Sequence, residues 1–278
     1  MADGATHIAL IDRAEALAPG LVRQSLWDQT KGWLPAIGGV IAFVWMCLDM
    51  NITPETFLSG FENLSRFLGG MFPPSHGNAL PRILDALLQT FGMAFAGTLI
   101  AVIAAVPLGM IGAKNIVPFG PLHFLIRRTF DFFRGIPALI WALILVSAFG
   151  LGPLAGVIAL ALADTPVLSK LYAEALENVD KKQGEAMRAA GAGRLGVIRY
   201  GVLPQVTPVM MSQALYYLES NFRNAAVLGV VGAGGIGFEL EERIRIFAFD
   251  QVLFIILLYM VAVAALDTLS SRLRAQLS

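Results

Sequence analysis

Long apolar runs, with almost all charged side chains placed between them, constrain this sequence more than any other feature. Five runs lie near residues 33–50, 86–112, 136–150, 206–230 and 251–270. A sixth run, 153–169, is apolar until it meets Asp164. A helix needs about 20 predominantly apolar residues to cross a bilayer, and only 14% of these residues are charged, against roughly 25% in soluble domains. The sequence therefore predicts an all-α, polytopic membrane protein with about six transmembrane helices.

Lysine and arginine are distributed unevenly between the runs. With a cytoplasmic N-terminus, fifteen of the 20 basic residues fall on the cytoplasmic side, in segments 1–32, 113–135, 169–205 and 271–278. The opposite side holds only Arg66, Arg82, Arg243 and Arg245, while Arg223 lies within a run. Because basic loops stay in the cytoplasm, the pattern predicts both termini there. We divide the chain into a cytoplasmic tail, 1–32, which lacks the apolar core of a signal peptide, and a transmembrane domain, 33–278.

Two amphipathic stretches are predicted to lie along a membrane surface rather than to cross the bilayer. Residues 55–72 fit a helix on the outer surface, and residues 122–134 fit one on the inner surface. In the second stretch Arg127, Arg128 and Arg134 could meet lipid phosphates or a neighbouring subunit. A membrane-anchoring helix is the simpler interpretation.

Other classes of protein find little support. The net charge is zero, which gives no indication of a nucleic-acid partner. Cys47 is the only cysteine and cannot form an internal disulfide, and the three histidines are far apart, so no metal site is expected. No lysine follows a glycine, so the chain lacks the phosphate-binding GxxxxGK[ST] loop of an ATPase.

The longest predicted cytoplasmic loop, 169–205, is too long and too regular to be a linker. Its composition predicts a helix over Ala173–Val179, a junction at 180–183 and a second helix over Gly184–Ala190. Gly191 stands where a helix would stop. The loop then leads to Leu203 and Pro204, where the next membrane helix begins.

This loop resembles the EAA motif of binding-protein-dependent ABC importer permeases: Glu-Ala-Ala, three residues, Gly, nine residues, Ile, one residue, Leu-Pro. The matching residues are Glu185, Ala186, Met187, Arg188, Gly191, Leu203 and Pro204. Met187 replaces the third-position Ala, and Gly201 stands where Ile is usual. The resemblance implies that the loop, about 171–204, is a coupling loop that docks on an ATPase subunit.

Residues 131–141 and 221–237 extend the resemblance to phosphonate importer permeases, over roughly residues 80 to 270. It implies a type I ABC importer permease fold in the bacterial inner membrane, as a homodimer with two ATP-binding subunits and a periplasmic or lipid-anchored solute-binding protein. ATP and Mg²⁺ would be bound by the partner ATPase, so this chain would be a transport subunit without a catalytic site. The implied cargo is phosphonate or a related oxyanion such as phosphite or hypophosphite. A methionine-type or other small-solute permease, or a secondary transporter, is the alternative.

Charged and amide side chains inside the fifth run mark candidates for the translocation path. They are Glu219, Asn221, Arg223 and Asn224. Glu219 and Arg223 are four residues apart and can pair on one helix face. That pair either locks helices together or leaves Arg223 to offset the charge of a passing oxyanion. In the preceding run, Asp164 is expected to cap a helix that begins beyond Pro166, with a role in transport as the alternative.

A glycine-rich stretch follows the fifth run and matches GxGxxG literally. It contains Gly232, Gly234, Gly235 and Gly237. A dinucleotide site would require a preceding β-strand, whereas an apolar helix precedes this stretch. We interpret the glycines as positions of close backbone packing, and as candidates for an outer loop that contacts the binding protein or closes the outer gate.

Overall fold

The computed structural model describes residues 26–51 and 54–277, and the side-chain surroundings of 33–51 and 55–277. Every regular element in this part of the chain is helical, which confirms the all-α prediction. The helices are α1 (Leu26–Asp49), α2 (Pro54–Gly69), α3 (Leu80–Gly112), α4 (Gly120–Arg134), α5 (Ala138–Phe149), α6 (Pro153–Glu177), α7 (Lys181–Ala189), α8 (Leu203–Leu228), α9 (Gly235–Arg245) and α10 (Phe249–Leu277). A single turn, Arg194–Gly196, and a π-helix, Val197–Val202, precede α8, and a second π-helical segment, Gly229–Ala233, follows it.

The chain divides into two compact units, Met1–Gly69 and Gly70–Ser278. Most of the predicted cytoplasmic tail, residues 1–25, lies outside the described residues, and α1 begins at Leu26. Helix α2 forms where the amphipathic stretch 55–72 predicts it, and an exposed ion pair of 2.6 Å joins Glu62 to Arg66 on its surface.

Three helices of the described chain are long and apolar enough to cross a membrane: α3, α6 and α10. The pair α4 and α5 passes the same test only if it is counted as one span, bent by 77° at its break. The apolar part of α1, Trp33–Asp49, is shorter, and α8 is absent from the group because its polar side chains lower its hydropathy. Length and composition thus support three or four spans and leave the predicted total of six untested.

The break between α4 and α5 occurs at the residues that the sequence marks. Helix α4 ends at Arg134, and α5 begins after Pro137. Proline has no backbone N–H to continue the hydrogen-bond ladder. The amphipathic stretch 122–134 is therefore a helix of its own, joined to the apolar α5 by an elbow.

Helix α3 packs on α6 through a row of small residues at every fourth position. The row consists of Gly97, Ala101, Ala105 and Gly109, all buried. A Cβ on Gly97 would lie 2.8 Å from Leu160 Cβ, and one on Gly109 would lie 2.9 Å from Tyr172 Cβ. Small residues let the two backbones approach closely, which favours packing where lipid provides no hydrophobic driving force.

Two predictions about the region after residue 150 are wrong. The expected break at Pro166 does not occur, because α6 runs unbroken from Pro153 to Glu177 and includes most of the helix predicted at Ala173–Val179. Asp164 therefore lies inside a helix and caps nothing; it is buried and accepts a hydrogen bond from Asn221. Neighbouring helices and threonine or serine side chains make proline tolerable inside membrane helices. Here the hydroxyls of Thr165 and Ser169 donate at 2.6 Å to the carbonyls of Ala161 and Thr165, whereas the carbonyl that loses its N–H donor at Pro166 is that of Leu162.

Candidate functional site

The coupling loop consists of α7 followed by the turn and π-helix that lead into α8. Asp180 caps α7, since its Oδ1 accepts a hydrogen bond from the Lys182 N–H at 3.0 Å. Helix α7 thus begins at Lys181, three residues before the predicted Gly184, and the expected junction at 180–183 is mostly helical. The sequence carried a signal for this start, because Asp180 and Gln183 have capping-box spacing.

Gly191 terminates α7, as the sequence predicts. Its φ is +85°, in the left-handed region that favours glycine. The Gly191 N–H donates to the Arg188 carbonyl at 2.9 Å, and the Ala192 N–H donates to the Met187 carbonyl at 3.0 Å. These bonds satisfy carbonyls that the end of a helix leaves open. They also turn the chain back toward the membrane helices.

Gln205, which sequence reasoning missed, fastens the start of α7 to α8. Its Oε1 accepts from the Asp180 N–H at 3.0 Å, and its Nε2 donates to the Asp180 carbonyl at 3.3 Å and the Gly201 carbonyl at 2.6 Å. The Gly201 Cβ position would lie only 3.2 Å from Gly184 Cα. Glycine at 201, the departure from the family motif, therefore permits a close approach of α7 to the π-helix.

None of the residues of α7 is buried. Glu185, Ala186 and Arg188 are exposed and Met187 is half-buried. Beside α7 lies a cavity of about 650 Å³, whose polar lining includes Asn115, Asp180, Glu185, Arg188 and Arg194. The arrangement is a short helix that is held firmly at its base and free over its outer surface. Such a helix can transmit a push from a docked partner to the membrane helices.

The candidates on α8 fall into two groups. Glu219 and Arg223 pair at 3.1 Å, as their spacing predicts, and each has a partner on α10: Asp267 lies 3.3 Å from Arg223, and Arg274 lies 3.1 Å from Glu219. The cluster holds two acidic and two basic groups, so its formal charge is balanced. Asn224 lies on the exposed side of α8.

Asn221 has different surroundings. It is completely buried and donates to Thr98 Oγ1 at 2.9 Å and to the Asp164 carboxylate. These contacts join α3, α6 and α8. Sequence reasoning missed Thr98 because it stands within an uninterrupted apolar run.

The glycine-rich stretch is packed into the bundle. Gly232 has a φ of +99°, and a Cβ on Gly237 would overlap the Ala226 carbonyl. Two side chains of α3 satisfy the start of α9: Gln89 Oε1 accepts from the Gly235 N–H and Thr90 Oγ1 from the Ile236 N–H, both at 2.7 Å. The first turn of α9 is therefore fixed to α3, as expected for close backbone packing.

The described chain is thus an all-helical bundle with an anchored, exposed helix, α7, before α8. The family model described as "binding-protein-dependent transport system inner membrane component" matches residues 105–278. The chain is also similar to the phosphite transport system permease protein PtxC of Stutzerimonas stutzeri, at 37% identity over 89% of this chain and 90% of that protein. It is 35% identical, over 81% of its length, to the phosphate-import permease protein PhnE of Mycolicibacterium smegmatis, of which the match covers 42%.

The chain belongs to the family of binding-protein-dependent transport system inner membrane components. A solved structure with the same fold is the inward-facing MetNI methionine ABC transporter, with a TM-score of 0.65 and 20% identity, over 73% of this chain and all of that one. The chain is thus the membrane subunit of an ABC importer, with the type I permease fold.

Proposed function

We propose that this chain forms the membrane channel of an ATP-driven importer for a phosphorus oxyanion such as phosphite, phosphonate or hypophosphite. The observation that carries the proposal is α7, whose outer surface is free and whose base is bonded to α8. The cargo is inferred from the similarity to a phosphite permease along nearly the whole of both chains.

The assembly we propose is a homodimer of this chain with two ATP-binding subunits and an external solute-binding protein. ATP and Mg²⁺ are bound by the ATPase subunits. Glu185, Ala186, Met187, Arg188 and Gly191 form the docking helix, and Leu203 and Pro204 pass its displacement into α8. Both termini lie in the cytoplasm.

The transport step we propose is alternating access. Closure of the ATPase subunits pushes the two α7 helices together, the membrane helices rock, and ATP hydrolysis resets them. Glu219, Arg223 and Asn224 are proposed to meet the passing anion, with Asn221 behind them. Because Arg223 is already balanced by two carboxylates, it would attract an oxyanion only weakly, which suits a path that must release its cargo. Gly232, Gly234, Gly235 and Gly237 are proposed to shape the outer gate.

The proposal is tested with the chain expressed together with candidate ATPase and binding-protein partners of its own organism. We expect the wild type to retain an ATPase through purification and to import labelled phosphite, with excess phosphonate competing and methionine not competing. Glu185→Arg should lose the ATPase and the uptake, because a reversed charge on α7 disrupts docking. Glu62→Arg, an equal charge reversal on α2, is the matched control and should keep both.

Three results would contradict the proposal. Equal ATPase retention by wild type and Glu185→Arg would remove α7 from the docking surface. Competition by methionine instead of phosphorus oxyanions would favour the methionine-type alternative. Uptake without any associated ATPase would favour a secondary transporter.

A further inference from the structure

Glu177 is the last residue of α6, and only three residues separate it from the first residue of α7. Its carboxylate therefore lies near the base of the coupling helix, three residues before Asp180, which Gln205 bonds to α8. A group at this position moves with the base of α7.

The Glu177 carboxylate contacts three residues in two other parts of the chain. Oε1 accepts a hydrogen bond from the Lys114 N–H at 2.8 Å, just after the end of α3. Oε2 accepts from Arg127 Nη2 of α4 at 3.0 Å. His123 Nε2, also on α4, lies 3.5 Å from Oε1. One carboxylate thus joins the exit of α6 to α3 and α4.

These contacts are shielded from solvent. The side chains of Glu177 and Arg127 are 24% and 23% exposed, and that of His123 is 9% exposed. An ion pair in such a setting is screened less by salt than a surface pair. Removal of one member also leaves the other charge without its partner, which costs more than the loss of an exposed pair.

Helix α4 leads directly into the 77° elbow and α5. A movement of the α7 base that pulls on Glu177 therefore reaches Arg127, then α4 and then α5. The Gln205 contacts give a parallel connection to α8. The base of α7 is thus connected to α8 directly, through Gln205, and to α4 indirectly, through Glu177 at the end of α6.

We propose that Glu177 is a positioning residue that transmits displacement of α7 to the α4–α5 elbow, so that ATPase closure moves α5 together with α8. The proposal rests on the proposed function, since it requires an ATPase on α7. Glu177 does not itself meet the ATPase or the cargo.

The test uses the whole transporter, purified with its ATPase and reconstituted with its binding protein. Glu177→Gln keeps the shape of the side chain but removes its charge. We expect this variant to retain the ATPase and to hydrolyse ATP at a basal rate within about twofold of wild type, while uptake falls about tenfold, within the range of typical coupling free energies. Exchange of the charges, Glu177→Arg with Arg127→Glu, should recover part of the uptake.

Lys170→Gln is the matched control. Lys170 lies on α6, is also 24% exposed, and pairs with Asp131 of α4 at 2.6 Å. It therefore ties α4 to α6 without standing at the exit to α7. If the ion pairs only anchor α4, both variants should lose the same amount of uptake per ATP hydrolysed. If Glu177 transmits movement, the loss should be far larger in Glu177→Gln than in Lys170→Gln.

The outcomes separate the two proposals. Normal uptake by Glu177→Gln, or equal losses in the Lys170 control, would overturn the role of Glu177 and leave the importer assignment intact. Failure of the wild type to retain an ATPase would overturn the proposed function, and this inference with it. Retained ATPase with uncoupled hydrolysis in Glu177→Gln supports both.

Discussion

Asn221 and Arg223 stand two positions apart on α8 and have opposite surroundings. Two helical positions correspond to a rotation of about 200°, so the side chains point to nearly opposite sides. Asn221 is completely buried against Thr98 and Asp164, whereas Arg223 is exposed and pairs with Glu219 and Asp267. The first residue fixes the position of α8 within the bundle, and the second lies on an exposed face, which we propose lines the path.

Replacement of Asn221 by Leu should destabilise the protein. The change leaves the buried Asp164 carboxylate without its hydrogen-bond donor, which costs about 1–3 kcal/mol. Thermal unfolding of the purified protein in detergent should show a lower midpoint. The double variant Asn221→Leu, Asp164→Leu should recover most of the loss, because both polar partners are then removed together. An unchanged midpoint in the single variant would show that the bond contributes little.

At the scale of elements, the pairing of α3 with α6 organises the second unit. The row Gly97, Ala101, Ala105 and Gly109 faces α6, and the coupling helix follows the C-terminal end of α6. Polar side chains of α3 form hydrogen bonds to two further helices: Gln89 and Thr90 bond α9, and Thr98 bonds α8. Helix α3 is therefore the element against which α6, α8 and α9 are positioned.

Gly97→Val should weaken this pairing. The new Cβ would lie 2.8 Å from Leu160 Cβ, and overpacking of this kind costs about 1–3 kcal/mol. Gly92→Val is the matched control, since it has the same helix, the same substitution and open space around its Cβ position. We expect a lower unfolding midpoint for Gly97→Val alone. Equal midpoints would mean that α3 and α6 separate easily to accept the extra volume.

At the scale of the whole molecule, the charge distribution agrees with the direction in which the described helices run. Arg127, Arg128, Lys170 and the basic residues of α7 all lie between the end of α3 and the start of α8. If α3, α5, α6, α8 and α10 cross the membrane, this basic group lies on one side and Arg243 and Arg245 on the other. Retention of positive charge in the cytoplasm then orients the protein.

This orientation predicts the reactivity of single cysteines placed in a Cys47→Ser background. In intact cells, a membrane-impermeant maleimide should label Phe247→Cys, between α9 and α10, and should not label Ala189→Cys on α7. In inverted membrane vesicles the pattern should reverse. Labelling of both positions from the same side would contradict the proposed topology.

The sequence by itself determined the helical fold, a short helix before Gly191 and the stop of that helix at Gly191. Apolar runs, charge asymmetry and glycine at a helix end are local properties, and each acts within one segment. The Glu219–Arg223 pair could likewise be predicted, because residues four apart on a helix share a face.

Only the tertiary structure decided where buried polar groups find their partners. The local sequence predicts that Asp164 caps a helix. In the structure, the hydrogen-bond donor of Asp164 stands 57 positions away in the sequence, and packing keeps α6 helical through Pro166. Gln205, Thr98 and Glu177 acquire their roles in the same way, from residues distant in sequence. A buried polar group without a hydrogen-bond partner destabilises the fold. These groups are therefore paired with residues distant in sequence, and no local sequence pattern predicts those pairs.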